Sequence, residues 1–206
     1  MTASAPVPAA APAPVARFHI RQKITPLQNQ YRLFADDAGE PGRLIGFAKQ
    51  KRLAFKEQFT VYDDERATRA VLHVQADRRI DVRSSMTVTD PGTGKVVGRL
   101  RKRGAASLLR STWEIEQPGM PPVVVRERSV AVALLRRFWG LVPYLGSVPV
   151  PWVFHFDGDD EAGRPVLRHS RRWGLRDRYV LEVLNPAPDT RLALALAVCL
   201  DAMQKR

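Results

Sequence analysis

The 206-residue sequence predicts a mainly β protein: a closed antiparallel barrel of about twelve strands around a hydrophobic C-terminal α-helix, with one extra short helix. Three observations carry this. Strand-turn-strand units recur from Tyr31, Phe59, Met86 and Trp113, a spacing of about 27 residues, in the range of repeated supersecondary units. The chain ends in LALALAVCL, apolar on every side of a helix. With 45% hydrophobic residues and a single cysteine, the chain must fold around an apolar core and cannot rely on an internal disulfide framework or a Cys-rich zinc module.

Residues 1–16 (MTASAPVPAAAPAPVA) form an Ala/Pro arm without charge or aromatic residues, expected to be disordered and partly polyproline II. It lacks the basic start and continuous apolar core of a secretory signal. One barrel domain is expected over 17–206.

Four hairpins follow. Tyr31-Arg32-Leu33-Phe34, Phe59-Thr60-Val61-Tyr62, Met86-Thr87-Val88-Thr89 and Trp113-Glu114-Ile115-Glu116 alternate with period two and meet Asp, Pro or Gly turn residues. Second strands begin at Arg43, Ala70, Lys95 and Val123. Basic connectors come next: Lys49-Gln50-Lys51-Arg52, Asp77-Arg78-Arg79 and Arg101-Lys102-Arg103-Gly104. If the hairpins stack in one direction, these connectors make a basic rim; otherwise they only blunt strand edges.

Ser129 can cap a short helix over 130–139. Residues 138–154 (FWGLVPYLGSVPVPWVF) carry no charge, but Gly140, Pro143, Gly146, Pro149 and Pro151 break any helix. Trp139, Tyr144 and Trp152 have the character of headgroup anchors. Exposed, this segment would be a membrane wedge; buried, it would plug one barrel end. Strands over 152–157, 164–170 and 178–184 follow, with a GDDEAG turn after the first. Asp189 then caps the last helix. That helix is too short to span a bilayer, so something must enclose it, and the only other material is sheet. A barrel closed around it hides its apolar surface and removes the sheet edges.

Phe18-His19-Ile20-Arg21-Gln22-Lys23, the run Phe55-Lys56-Glu57-Gln58-Phe59-Thr60-Val61-Tyr62-Asp63, residues 130–156 and the terminal LALALAVCLDAMQ resemble the LURP-one-related family, which groups with the tubby C-terminal domain and the phospholipid scramblases. The resemblance covers nearly everything after Ala16 and implies a twelve-stranded barrel around a central helix. It also implies membrane association, because tubby domains bind phosphoinositides through basic side chains. No lipid-contacting residue of tubby is carried over. Scramblase-type proteins have a calcium-linked acidic segment before the terminal helix. Here that place offers only Asp189, and calcium needs several oxygen ligands, so calcium is not expected.

The net charge of +12 and pI near 10.6 attract polyanions. Arg99, Arg101, Lys102, Arg103, Arg171 and Arg172 are the candidate contacts to anionic lipid. They sit within a wider basic set that includes Arg168, Arg176 and Arg178. An acidic protein partner is an alternative. Nucleic acid is disfavoured, since basic and aromatic residues do not interleave on one strand as a stacking platform requires. No catalytic, cofactor or metal residues are expected. His19, His73, His155 and His169 lack zinc-ligand spacing, Gly92-Thr93-Gly94-Lys95 lacks the phosphate-loop spacing, and Cys199 lies in the apolar helix. The expectation is a non-enzymatic binding module, cytoplasmic and peripheral at the inner face of the membrane.

Overall fold

The computed structural model describes residues 14–25, 28–51, 58–77, 85–104, 111–129, 155–172, 177–185 and 188–204. The chain forms β1 (Ala16–Ile24), β2 (Gln28–Asp37), β3 (Glu40–Lys51), β4 (Gln58–Tyr62), β5 (Ala70–Ala76) and β6 (Ser85–Thr89). It continues through β7 (Val96–Lys102), β8 (Thr112–Glu116), β9 (Val123–Glu127), β10 (His155–Asp159), β11 (Pro165–Arg172) and β12 (Arg178–Val183) to the helix α1 (Thr190–Gln204). Each strand pairs antiparallel with its neighbour in sequence, and β12 pairs with β1, so the twelve-stranded sheet closes. The short helix expected over 130–139 lies outside the described residues, as does most of the N-terminal arm.

Period-two alternation gives each strand an inner apolar face and an outer polar one. In β4, Phe59 and Val61 are buried; in β6, Met86 and Val88; in β9, Val123 and Val125. These side chains form one core with α1, where Leu192, Ala193, Leu196, Ala197, Val198, Cys199 and Leu200 are all buried. The contacts of α1 reach around the barrel: Leu192 to β7, Cys199 to Met86 on β6, and Asp201 to Tyr31 on β2 and Tyr179 on β12. The helix therefore fills the lumen. Twelve strands leave too wide an interior for side chains alone, and a helix with apolar residues on every side supplies the missing volume.

Gly98 on β7 allows one close approach. A Cβ there would lie 2.5 Å from the Glu116 carbonyl oxygen and 2.7 Å from a Leu192 methyl. Only a bare backbone lets the first turn of α1 pack this closely on the wall. The expected GDDEAG turn is shorter than its sequence implies. Strand β10 runs on through Gly158 and Asp159, because Gly158 faces Leu167 and Val125 across the sheet where a side chain would clash.

At the start of α1, the Asp189 carboxylate accepts from the Arg191 backbone N–H at 2.9 Å, as an N-cap does. Arg191 also bridges Asp189 at 2.7 Å and Asp90 of the β6–β7 turn at 2.9 Å. These bonds, led by the one from the Arg191 side chain, hold the Asp189 carboxyl below the usual carboxylate range.

Candidate functional site

An up-and-down barrel sorts its connections. The β2–β3, β4–β5, β6–β7, β8–β9 and β10–β11 turns, with the start of α1, lie at one rim. The strand ends joined by the β1–β2, β3–β4, β5–β6, β7–β8, β9–β10 and β11–β12 connections, with the end of α1, lie at the other. The first rim is acidic in character, bearing Asp36, Asp37, Glu40, Asp63, Asp64, Glu65, Asp90, Asp160, Glu161 and Asp189. Arg69 pairs there with Asp63 at 2.6 Å and Arg164 with Asp160 at 2.7 Å, while Arg66 and Lys95 are exposed and make no ion pair among the described residues.

The second rim is basic. Lys23, Lys49, Lys102, Arg103, Arg172 and Arg178 stand at the strand ends that meet there. By sequence, the segments joining these ends carry Arg52, Lys56, Arg78, Arg79, Arg83, Arg110, Arg128, Arg136, Arg137 and Arg176 against Glu57, Asp77, Asp81 and Asp177. The three basic connectors singled out in the sequence join strands at this same end, because each follows the second strand of a hairpin.

The individual candidates are not equivalent. Arg99 is exposed and has no ion pair among the described residues. Arg101 pairs with Glu116 at 2.6 Å. Arg103 forks onto Glu114, donating from Nε at 3.1 Å and Nη2 at 2.8 Å, and holds that carboxyl below its usual range. Lys102 Nζ lies 6.0 Å from the centre of the Trp113 ring. Arg171 is half-buried and donates to Asp177 at 2.5 Å. Arg172 is exposed and stands opposite Arg178 across the β11–β12 ladder. Strands β7 and β11 are separated by β8, β9 and β10, so the two groups occupy different arcs of one rim rather than one tight patch. Trp139, Tyr144 and Trp152 lie outside the described residues. The segment holding them joins β9 to β10, whose linked ends are at the basic rim.

Inside the lumen, next to this rim, the structure assembles a polar cluster that sequence reasoning missed. Buried Asp201 of α1 accepts from the Tyr31 hydroxyl at 2.8 Å and from the Tyr179 hydroxyl. The Gln22 side-chain amide donates to the Tyr31 oxygen at 3.1 Å. Burial, and then the adjacent Asp201 carboxylate, pushes both phenols far above the usual tyrosine range. His169 stacks on Tyr179, ring centres 5.4 Å apart and planes 15° from parallel. It is 1% exposed and neither ring nitrogen has a hydrogen-bond partner among the described residues. Burial pushes the His169 imidazole down to about 3. One signal for the cluster existed: Asp201 is the sole acidic residue of the helix and follows its apolar run LALALAVCL, and a buried carboxylate needs donors.

The cluster is structural in kind. Its hydroxyls are committed to a carboxylate, and phenols so hard to ionise supply no base. Among the described residues no group of three or more His, Cys, Asp or Glu could hold a metal ion. Cys199 is buried, its thiol 3.3 Å from the Met86 sulfur. No described helix is long and apolar enough to cross a membrane.

No individual curated protein matches the chain. The family model for LURP-one-related proteins matches residues 45–201, from the middle of β3 to the buried aspartate of the luminal helix. That span takes in most of the barrel together with the helix that fills it, and the chain belongs to the LURP-one-related family.

Proposed function

We propose that this LURP-one-related barrel is a non-enzymatic binding module for anionic phospholipid, acting peripherally at the cytoplasmic face of a membrane. The segregation of charge between the two rims carries the reading. A net charge of +12 spread evenly would serve solubility alone. Here the acidic turns gather at one rim and the basic strand ends at the other. Such a molecule is oriented by a negatively charged surface, and each basic residue near that surface adds about 1 kcal/mol of attraction. The sequence linking β9 to β10, whose joined ends are at the basic rim, carries Trp139, Tyr144 and Trp152, and interfacial side chains would reinforce the charge. The lumen is occupied by α1, whose buried side chains form one core with the barrel wall among the described residues.

The test is co-sedimentation of the full chain with neutral and anionic vesicles over a salt series, with a short DNA duplex as competitor. Retention on anionic vesicles alone, persisting in excess duplex, is the expected result. Displacement by the duplex would favour nucleic acid. Absence of retention at low salt would overturn the membrane reading and leave an acidic protein as the partner to seek.

A further inference from the structure

The outer face of β11, β12 and β1 carries three successive cross-strand rows. In the first, Arg168, Glu182 and Arg17 lie side by side, and Arg17 donates to Glu182 at 3.1 Å and 2.8 Å. In the second, Ser170, Val180 and His19 lie side by side. In the third, Arg172 stands opposite Arg178, and Arg178 opposite Arg21. The first row holds a carboxylate between its two arginines; the third holds none. All three arginines of the third row are exposed, and none makes an ion pair among the described residues. Like charges directly opposite on neighbouring strands repel, so this row opposes the stability of the sheet it sits on.

A roof covers this face. His19 and Val180 point outward, yet they are only 6% and 5% exposed. The β2–β3 turn folds over them. Asp36 ties it down: His19 Nε2 and Asp36 Oδ1 are 2.6 Å apart, and the Gly39 N–H donates to the other oxygen at 3.1 Å. Between roof and wall is a recess of about 70 Å³, lined by Arg21, Arg172 and Arg178 on one side and by Gly39, Glu40 and Pro41 on the other. That is far below the ~300–1,000 Å³ of organic-ligand pockets, and suits a small charged group. Arg21 is further positioned over the Phe34 ring, 5.4 Å from its centre. Glu40 is the one carboxylate in the lining, against three guanidiniums.

We infer that Arg21, Arg178 and Arg172, converging on the recess beneath the β2–β3 turn, form a binding site for a phosphate group. Guanidiniums present planar forks of N–H donors that match phosphate oxygens, and a dianion relieves the repulsion among them. The fourth arginine of the row, Arg32 on β2, is excluded by its chemistry: it forks onto Glu65 at 2.7 Å and 2.8 Å. The ligand is a phosphomonoester, borne by a lipid headgroup or by a soluble molecule. The site rests on the membrane reading only for the first of these sources.

The test uses the full chain labelled with ¹⁵N. Inorganic phosphate is titrated while the arginine Nε–Hε resonances are followed. Saturable shifts are expected at Arg21, Arg172 and Arg178, and none at Arg32. Arg178→Gln is expected to weaken phosphate about tenfold, the worth of one charged hydrogen bond, and Arg32→Gln to leave it unchanged. Equal effects at Arg32, or shifts that never saturate, would overturn the site. A parallel arm uses vesicles of phosphatidylcholine with and without phosphatidylinositol monophosphate. If Arg178→Gln abolishes the added retention, the source is lipid. If phosphate binds at the three arginines while wild type ignores both vesicles, the site stands with a soluble phosphomonoester and the membrane reading falls. If vesicle binding survives Arg178→Gln and phosphate shows no saturable shift, the membrane reading stands and the site falls.

Discussion

The two faces of β1 and β12 treat polar groups in opposite ways. Inward, Gln22, Tyr31 on the adjoining β2, and Tyr179 close a hydrogen-bond chain onto Asp201 of the helix. Outward, at the neighbouring positions, Arg21 and Arg178 face each other with no counterion among the described residues. The inner face lies in a medium of low dielectric, where an unmatched group costs full desolvation, so chemistry there is completed within the protein. Arg21 and Arg178 on the outer face are exposed to water, which screens mismatch to fractions of a kcal/mol. An unmatched group therefore reports on stability when buried, and on a ligand when it lines a recess at the surface.

The harshest way to break the inner face is Leu196→Asp. It puts a carboxylate into the apolar core, where Leu196 is buried, at a cost of several kcal/mol. Loss of the cooperative thermal transition is expected; a variant that stays folded would mean that the helix is not enclosed. Asp201→Ala is expected to cost about 3–5 kcal/mol, because two buried tyrosine hydroxyls lose their acceptor together. Urea denaturation measures it, and a change under 1 kcal/mol would show that the hydroxyls find other partners.

His169 sharpens the comparison through pH. Its imidazole stays neutral in the folded protein down to about pH 3, while in the unfolded chain it titrates near the ordinary value of 6.5. The unfolded state binds more protons between those limits. The His169 contribution is therefore fully present above pH ~6.5 and is lost progressively as pH falls toward 3. His169→Leu removes that loss and the two unpaired nitrogens. The variant is expected to hold its stability better than wild type between pH 6 and 4, read from melting temperatures across that range. Parallel pH curves for the two proteins would contradict the burial argument.

The smallest effect belongs to the outer face. Arg178→Gln is expected to change stability by no more than about 0.5 kcal/mol, and in the stabilising direction, because it removes repulsion from both neighbours. The same denaturation experiment checks it. A destabilisation above 1 kcal/mol would mean that Arg178 has a structural partner and is not waiting for a ligand.

Much of the barrel was legible in the residues. Alternation at Phe59-Thr60-Val61-Tyr62 and Met86-Thr87-Val88-Thr89 marks inner and outer faces because a strand has only two sides. The closed topology follows from LALALAVCL, since apolar surface all around a helix must be covered. The candidate sites were less legible. Arg171 and Arg172 are adjacent in sequence, yet one turns toward Asp177 and the other toward Arg178. Arg103 carries the same charge as Arg99 but is committed to Glu114. Both partners lie close in sequence, six and eleven residues away, yet which carboxylate each arginine takes depends on how the strands pair, and alternation alone does not specify that.

By itself the sequence determined the strand pattern, the enclosed helix and its Asp189 cap. Those features rest on local periodicity, and on the need of an apolar surface for a cover. Tertiary structure alone decided that Arg21 of β1 stands beside Arg178 of β12, and that Asp201 meets tyrosines from opposite ends of the chain. Closure of the barrel joins its first and last strands, and the contacts made at that seam link residues too distant in sequence for any local pattern to relate them.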